Sequence, residues 1–139
     1  MENNALIAKD YVGEITNSES VCYCSMKVGT LEDKKTLYNC ISDPKYRLAD
    51  EINKDILVKN VYIESVECKR PDESVEVCPR IVLIDADGEG HQCVSFGVYN
   101  ALKKIFGLMG DPQQWENPLK LTVKQVTKGE RKMLNLIMK

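Results

Sequence analysis

The sequence predicts a mainly β protein with helices: a five-stranded Greek-key barrel carrying an N-terminal strand–helix extension. Three observations predict it. After residue 55 the apolar pattern runs strand, strand, strand, helix, strand, strand. The first of those strands is long and breaks phase, as a bent strand serving two sheets does. The 139 residues are 43% hydrophobic and 29% charged, which fits one soluble domain. No apolar run approaches the ~18 residues that a membrane helix needs.

The elements follow in chain order. Residues 1–20 are polar, carry a net −3 and hold no sustained period. They are expected to form a flexible tail, leaving 21–139 as the single domain. Val21 to Val28 (VCYCSMKV) has strand composition. Thr30 and Asp33 have the spacing of a capping box. Leu31, Leu37, Tyr38 and Ile41 then share a helical face. Asp43-Pro44 closes that helix, because proline disfavours helical backbone just before it. Lys45 to Asp55 reads as a polar connector with a short turn at Leu48 to Ile52.

Ile56 to Lys69 (ILVKNVYIESVECK) is the longest strand signal, rich in Val, Ile and Tyr. Its apolar phase changes between Val58 and Val61 and again before Val66, which predicts two bulges. Arg70 to Val77 reads as a charged loop. Arg80 to Ala86 is apolar on both faces, as a covered strand is. Asp87-Gly88-Glu89-Gly90 makes a tight turn into a strand from His91 to Phe96. Val98, Leu102, Ile105, Phe106 and Met109 form an apolar helical stripe that Gly110 and Pro112 end. A loop holding the single tryptophan, Trp115, leads to Leu119, Leu121 and Val123, which alternate with Lys120, Thr122 and Lys124. Thr127 to Glu130 turns, and Lys132 to Met138 is the last strand. This order is that of an oligonucleotide/oligosaccharide-binding (OB) barrel, although other small α+β domains share it.

Catalytic and metal readings are weak. Six cysteines, with one Cys-x-Cys at Cys22 and Cys24, and one histidine do not make a converging zinc set. They read as small thiols in a reduced compartment, since residues 1–20 lack a basic stretch followed by an apolar one. No cofactor or metal is expected. His91 lacks a nucleophile partner at a recognisable spacing and reads as a surface residue beside Gly90. Asp85-x-Asp87-Gly88 lacks the closing glutamate of a calcium loop and reads as a hairpin turn.

The net charge of −2 argues against a simple nucleic-acid binder, but it hides an asymmetry. Residues 61–91 carry −5, and residues 92–139 carry +5. A local basic face can hold phosphates on a neutral or acidic protein. The alternative is a solvated hairpin whose lysines protect a sheet edge.

The sequence is similar to a family of small bacteriophage single-stranded DNA-binding proteins found in phages and mobile elements of low-GC Gram-positive bacteria. The resemblance spans roughly Cys24 to Met138. It is carried by Leu37-Tyr38-Asn39, Ile52-Asn53-Lys54, Val58-Lys59-Asn60-Val61-Tyr62 and Pro79-Arg80-Ile81-Val82-Leu83-Ile84-Asp85. Val94-Ser95-x-Gly97-Val98, Trp115-Glu116-x-Pro118-Leu119 and Val123-Lys124-Gln125-Val126-x-Lys128-Gly129 complete it. The layout also resembles the single-stranded DNA-binding proteins of protein-primed phage replication. The resemblance implies an OB fold and cooperative, sequence-tolerant binding of single-stranded DNA during replication in the cytoplasm of a bacterial host. Replication proteins and copies of the chain itself are the expected protein partners, and no membrane is. A non-enzymatic interaction module of a phage or mobile element is the second reading.

Strand binding without sequence choice needs cations for phosphates and flat side chains for bases. Tyr62, Phe96 and Trp115 are the stacking candidates. Tyr62 either faces out to stack or packs the barrel, with outward the expected direction. Phe96 either stacks or plugs the barrel beneath the helix. Trp115 either stacks or caps a barrel end. Lys59, Lys120, Lys124, Lys128, Arg131 and Lys132 are the phosphate candidates, the last three clustered at the final turn. Arg80 either joins them or pairs with the acidic loop Asp72 to Glu76.

Overall fold

The computed structural model describes residues 21–139, so the tail expected over 1–20 lies outside the described residues. The chain runs β1 (Val21–Cys24), α1 (Leu31–Ser42), β2 (Tyr46–Arg47), β3 (Asp55–Lys69), β4 (Val75–Asp85), β5 (Gly90–Val94), α2 (Phe96–Met109), β6 (Leu119–Lys128) and β7 (Arg131–Met138). Short 3-10 turns lie at Leu48–Asp50 and Pro112–Gln114. The strands form one curled sheet in the order β2-β5-β4-β3-β6-β7, with β1 added on β3. The path from β5 through β4, β3 and β6 to β7 is that of an OB-like barrel. β1 and β2 raise the strand number to seven. No described helix is long and apolar enough to cross a membrane.

β3 organises the sheet. Its start pairs with β6 from Asp55 to Val58, its whole remaining length pairs with β4, and β1 takes its other edge at Tyr62 to Glu64. The phase change at Lys59 is a real bulge, seen as a register shift between Val58 and Asn60. Two residues, Lys59 and Asn60, therefore stand between the buried Val58 and Val61. The second expected bulge is absent, because pairing with β4 runs unbroken from Asn60 to Lys69. Val61, Tyr62 and Ile63 are all buried because both faces of the sheet are covered there, which mimics a slip when only the sequence is read.

Two apolar layers result. The inner core joins Ile56, Val58, Val61, Ile81, Leu83, Leu121, Val123 and Leu136 to Val98, Leu102 and Ile105 of α2. Each fully buried aliphatic side chain there contributes roughly 1.5–3 kcal/mol. The outer layer seats Leu37 and Cys40 of α1 on Tyr62, Val82 and Ile84. Thr30 caps α1 through the N–H of Asp33, as expected, but Leu31 and Tyr38 stay exposed and do not join the packed face. Gly90 lies directly beneath Cys40, where an added Cβ would sit 3.1 Å from its backbone. Burial keeps Cys24 and Cys40 protonated, with both thiols pushed up to about 11.

The remaining boundaries shift for local reasons. β4 begins at Val75, so the charged loop is shorter than its composition suggests. Beyond Ile63 the β3–β4 ribbon leaves the core, and an Arg70–Glu76 ion pair lies at its tip, beside the turn. β6 runs on to Lys128 and β7 starts at Arg131, leaving Gly129 and Glu130 as the turn. Phe96 belongs to α2, not to β5, because Ser95 caps the helix by accepting the N–H of Val98 at 3.1 Å.

His91 is buried, not on the surface. Its Nδ1 lies 2.7 Å from Glu51 Oε1, and its Nε2 lies 2.8 Å from Asp85 Oδ2. Tyr46 stacks on the ring at 4.6 Å. The other Asp85 oxygen accepts the N–H groups of Asp87 and Glu89, which makes 85–89 a self-satisfied turn. The three acidic groups there lie close together, and these bonds already engage both Asp85 oxygens.

Among the described residues no pairing joins β5 to β7. The barrel seam is closed by α2, whose Gly97 lies against the Leu134 carbonyl so closely that a Cβ would sit 2.2 Å from its oxygen. Gly107, in the same helix, has nothing within 4 Å. The same substitution at these two sites is therefore expected to act with opposite sign. Gly97→Ala should lower the urea midpoint, costing about 1–3 kcal/mol through overpacking. Gly107→Ala should raise it, by about 1 kcal/mol of helix propensity.

Candidate nucleic-acid interface

The cationic candidates sort by strand register. In an antiparallel pair, directly opposed residues share a face. Lys124 opposes Asn135, Val126 opposes Met133 and Lys128 opposes Arg131, while the buried Val123 opposes the buried Leu136. Lys120, Lys124, Lys128 and Arg131 therefore lie on the outer face of the β6–β7 hairpin, away from the core. The three lysines recur every four residues, a spacing of about 13 Å. Lys132 opposes Thr127 and so points to the other face of the hairpin tip.

These cations are little compensated. Among the described residues none of Lys120, Lys124, Lys128, Arg131 or Lys132 makes an ion pair. Lys124 Nζ donates to the neutral Asn53 Oδ1 at 3.1 Å. The acidic group on this face is Asp55. Its carboxyl is lowered first by the Thr122 hydroxyl, which donates at 2.6 Å, and then by Lys139 and Lys120. Lys139, 3.7 Å from Asp55, was not singled out as a site residue, because only the pairing of the chain's end beside Lys120 brings it here. Arg131 also contributes to lowering the Glu76 carboxyl, behind the dominant Arg70 bond.

Two candidates are withdrawn from the surface. Tyr62 is not exposed: it is fully buried under α1, and its hydroxyl donates to Glu64 Oε1 at 3.0 Å. Burial pushes its phenol upward, assisted by Glu64. The outward direction expected from alternation was correct, but the extension covers the outer face there. Arg80 neither joins the β6–β7 cations nor pairs with the acidic loop. Its guanidinium donates to Glu64 at 3.0 Å, to Gln92 and to the Ile41 carbonyl at the end of α1.

Phe96 is 45% exposed at the start of α2, beside the seam. Trp115 is half-buried, fixed by an indole N–H donated to the Gly110 carbonyl at 2.9 Å and by an edge contact with Phe106. It lines a groove of about 370 Å³ together with Met26, Lys27, Lys59, Asn60 and Gln113. Leu57 opposes Lys120 across the β3–β6 pair, and Lys59 lies two residues beyond Leu57 on the same face. The groove thus opens at the end of the lysine row.

Ser25 builds this groove. It is fully buried and donates to Asn60 Oδ1 at 3.0 Å while accepting the Val61 N–H at 2.8 Å. Its own carbonyl accepts from Gln113 Nε2 at 2.9 Å. Sequence reading missed Met26, Lys27, Asn60 and Gln113, since their proximity depends on contacts 35 and 88 residues apart in the chain.

A family model for phage single-stranded DNA-binding proteins matches residues 16–139. Neither the curated proteins nor the solved structures contain a match. Arg80 serves as a fastener between β4, β5 and α1. Arg80→Ala is therefore expected to cost about 3 kcal/mol, because it strands Glu64 in a shielded site. Urea unfolding reads this directly, and an unchanged midpoint would return Arg80 to the surface cations.

Proposed function

Because the chain belongs to the phage single-stranded DNA-binding protein family, we propose that it holds a single strand along the outer face of β6 and β7. It would do so without strong sequence preference, covering the strand during phage or mobile-element DNA replication. The observation that carries this reading is the row of Lys120, Lys124 and Lys128, with Arg131 opposite Lys128, none of which forms an ion pair among the described residues. Regularly spaced cations on an extended sheet face suit a flexible polyanion better than a compact ligand.

A second observation favours this face over the usual one. OB barrels commonly take their ligand across the second and third barrel strands. Here those are β4 and β5, and the centre of their outer surface is covered by α1 on Val82, Ile84 and Gly90. The same helix buries Tyr62 and ties up Arg80. The N-terminal extension thus displaces the available cationic surface to β6 and β7.

Phosphate contacts release counterions, so affinity falls with salt in proportion to the phosphates neutralised. Lys124→Ala combined with Lys128→Ala should flatten the plot of log affinity against log salt by about 1.4, at roughly 0.7 per lost contact on a single strand. A titration of poly(dT) across salt concentrations measures it. An unchanged slope removes both lysines from the phosphate path, and no binding at low salt overturns the strand-binding reading itself.

A further inference from the structure

Resting on that strand-binding reading, we propose that the groove at the β3 bulge is a nucleobase pocket, taking one base of the bound strand against Trp115. The groove differs in chemistry from the lysine row. Lys27 and Lys59 line it, and so do Asp33 and Glu116, so its charges balance. A near-neutral lining suits a base and not a phosphate, whereas the adjoining β6–β7 face has the opposite character. Its volume of about 370 Å³ lies at the small end of the ~300–1,000 Å³ range of ligand clefts, on the scale of one nucleoside unit.

The walls are flat and apolar where stacking requires it. Met26, Pro112 and Pro118 accompany Trp115. The indole is already held by Gly110 and Phe106, so little side-chain freedom is lost when a base arrives. The polar atoms are oriented as well. Ser25 engages the Asn60 oxygen and the Gln113 nitrogen. The Asn60 amide NH₂ and the Gln113 carbonyl are left, with no hydrogen bond to another described residue. The pocket therefore offers one donor and one acceptor to the edge of a base. Lys59, at the mouth, lies on the face that continues to Leu57 and Lys120. The backbone of a strand on the lysine row thus passes the opening.

Trp115 is the sole tryptophan of the chain, so its emission reports on this groove alone. The experiment titrates the intact protein with an end-labelled oligo(dT) and with an abasic oligomer of equal length and charge, following anisotropy and Trp115 emission together. Oligo(dT) is expected to quench Trp115 and to bind about ten-fold more tightly than the abasic strand, which should bind without quenching. Anisotropy that rises while emission stays constant, or equal quenching by both oligomers, overturns the pocket and leaves strand binding standing. Absence of any anisotropy change at low salt overturns strand binding. As an internal control, Lys124→Ala with Lys128→Ala should weaken both oligomers in parallel and leave the dT-to-abasic ratio near ten-fold; a ratio that collapses to one overturns a base pocket separate from the lysine row.

Discussion

The bulge in β3 is the feature on which the other parts depend. A strand of 15 residues cannot lie flat against a barrel without bending, and an extra outward residue is the usual means. Here the extra residue separates two duties. Before it, β3 pairs with β6; after it, that edge is released and β1 occupies it. The buried Ser25 holds the bend by bonding both to the bulged Asn60 and to the Val61 N–H that follows. A buried hydroxyl with donor and acceptor both satisfied strengthens such a junction, whereas an unsatisfied one would cost about 1–3 kcal/mol. The bend thereby fixes the inner core, the seat of β1 and one wall of the groove together.

The second constraint is that the sheet is covered twice. α2 fills the inner side and closes the seam at Gly97, while α1 covers the outer side of β3 and β4. The covered area consumes side chains that an uncovered OB barrel would leave free. Tyr62 becomes a core residue, Arg80 a clasp for the end of α1, and His91 a buried link between Glu51 and Asp85. What remains uncovered is two ribbons projecting beyond the core. The β3–β4 ribbon is acidic, and the β6–β7 ribbon is basic. The charge asymmetry along the chain therefore falls on two different ribbons, which approach closely enough for Arg131 to help lower the Glu76 carboxyl, and a protein of net −2 presents a cationic face on β6 and β7.

Much of this was legible in the sequence, and the rest fails for identifiable reasons. Strand order, both helices, the first bulge and the Thr30 cap follow from periodicity and local side-chain chemistry, which act over a few residues. The split of charge between residues 61–91 and 92–139 was also legible. The direction of Tyr62 was read correctly from alternation, yet its exposure was not, because exposure is decided by α1 lying over it. Arg80 offered two partners in the sequence, and the structure supplies a third set, Glu64, Gln92 and Ile41. His91 looked exposed beside a glycine turn, since nothing local announces Glu51 forty residues away. The charged stretch at Arg70 to Val77 read as loop because strand composition normally reflects burial, and Val75 and Val77 lie in a ribbon that buries little.

The division between groove and hairpin bears on how a neutral protein can bind a polyanion tightly without being basic overall. Phosphate contacts weaken steeply with salt, so a small set of lysines alone gives an affinity that collapses at physiological ionic strength. Stacking on an aromatic ring is largely indifferent to salt and to sequence. On the proposed reading, three lysines in a row steer the strand and the pre-held tryptophan at the end of that row anchors a base. The acidic side chains need not be removed for this to work, because Asp33 and Glu116 line the groove proposed for a base and not the lysine row proposed for phosphates. Near-neutral net charge is then compatible with strand binding, and it spares the protein the indiscriminate attraction to other polyanions that a uniformly basic surface produces.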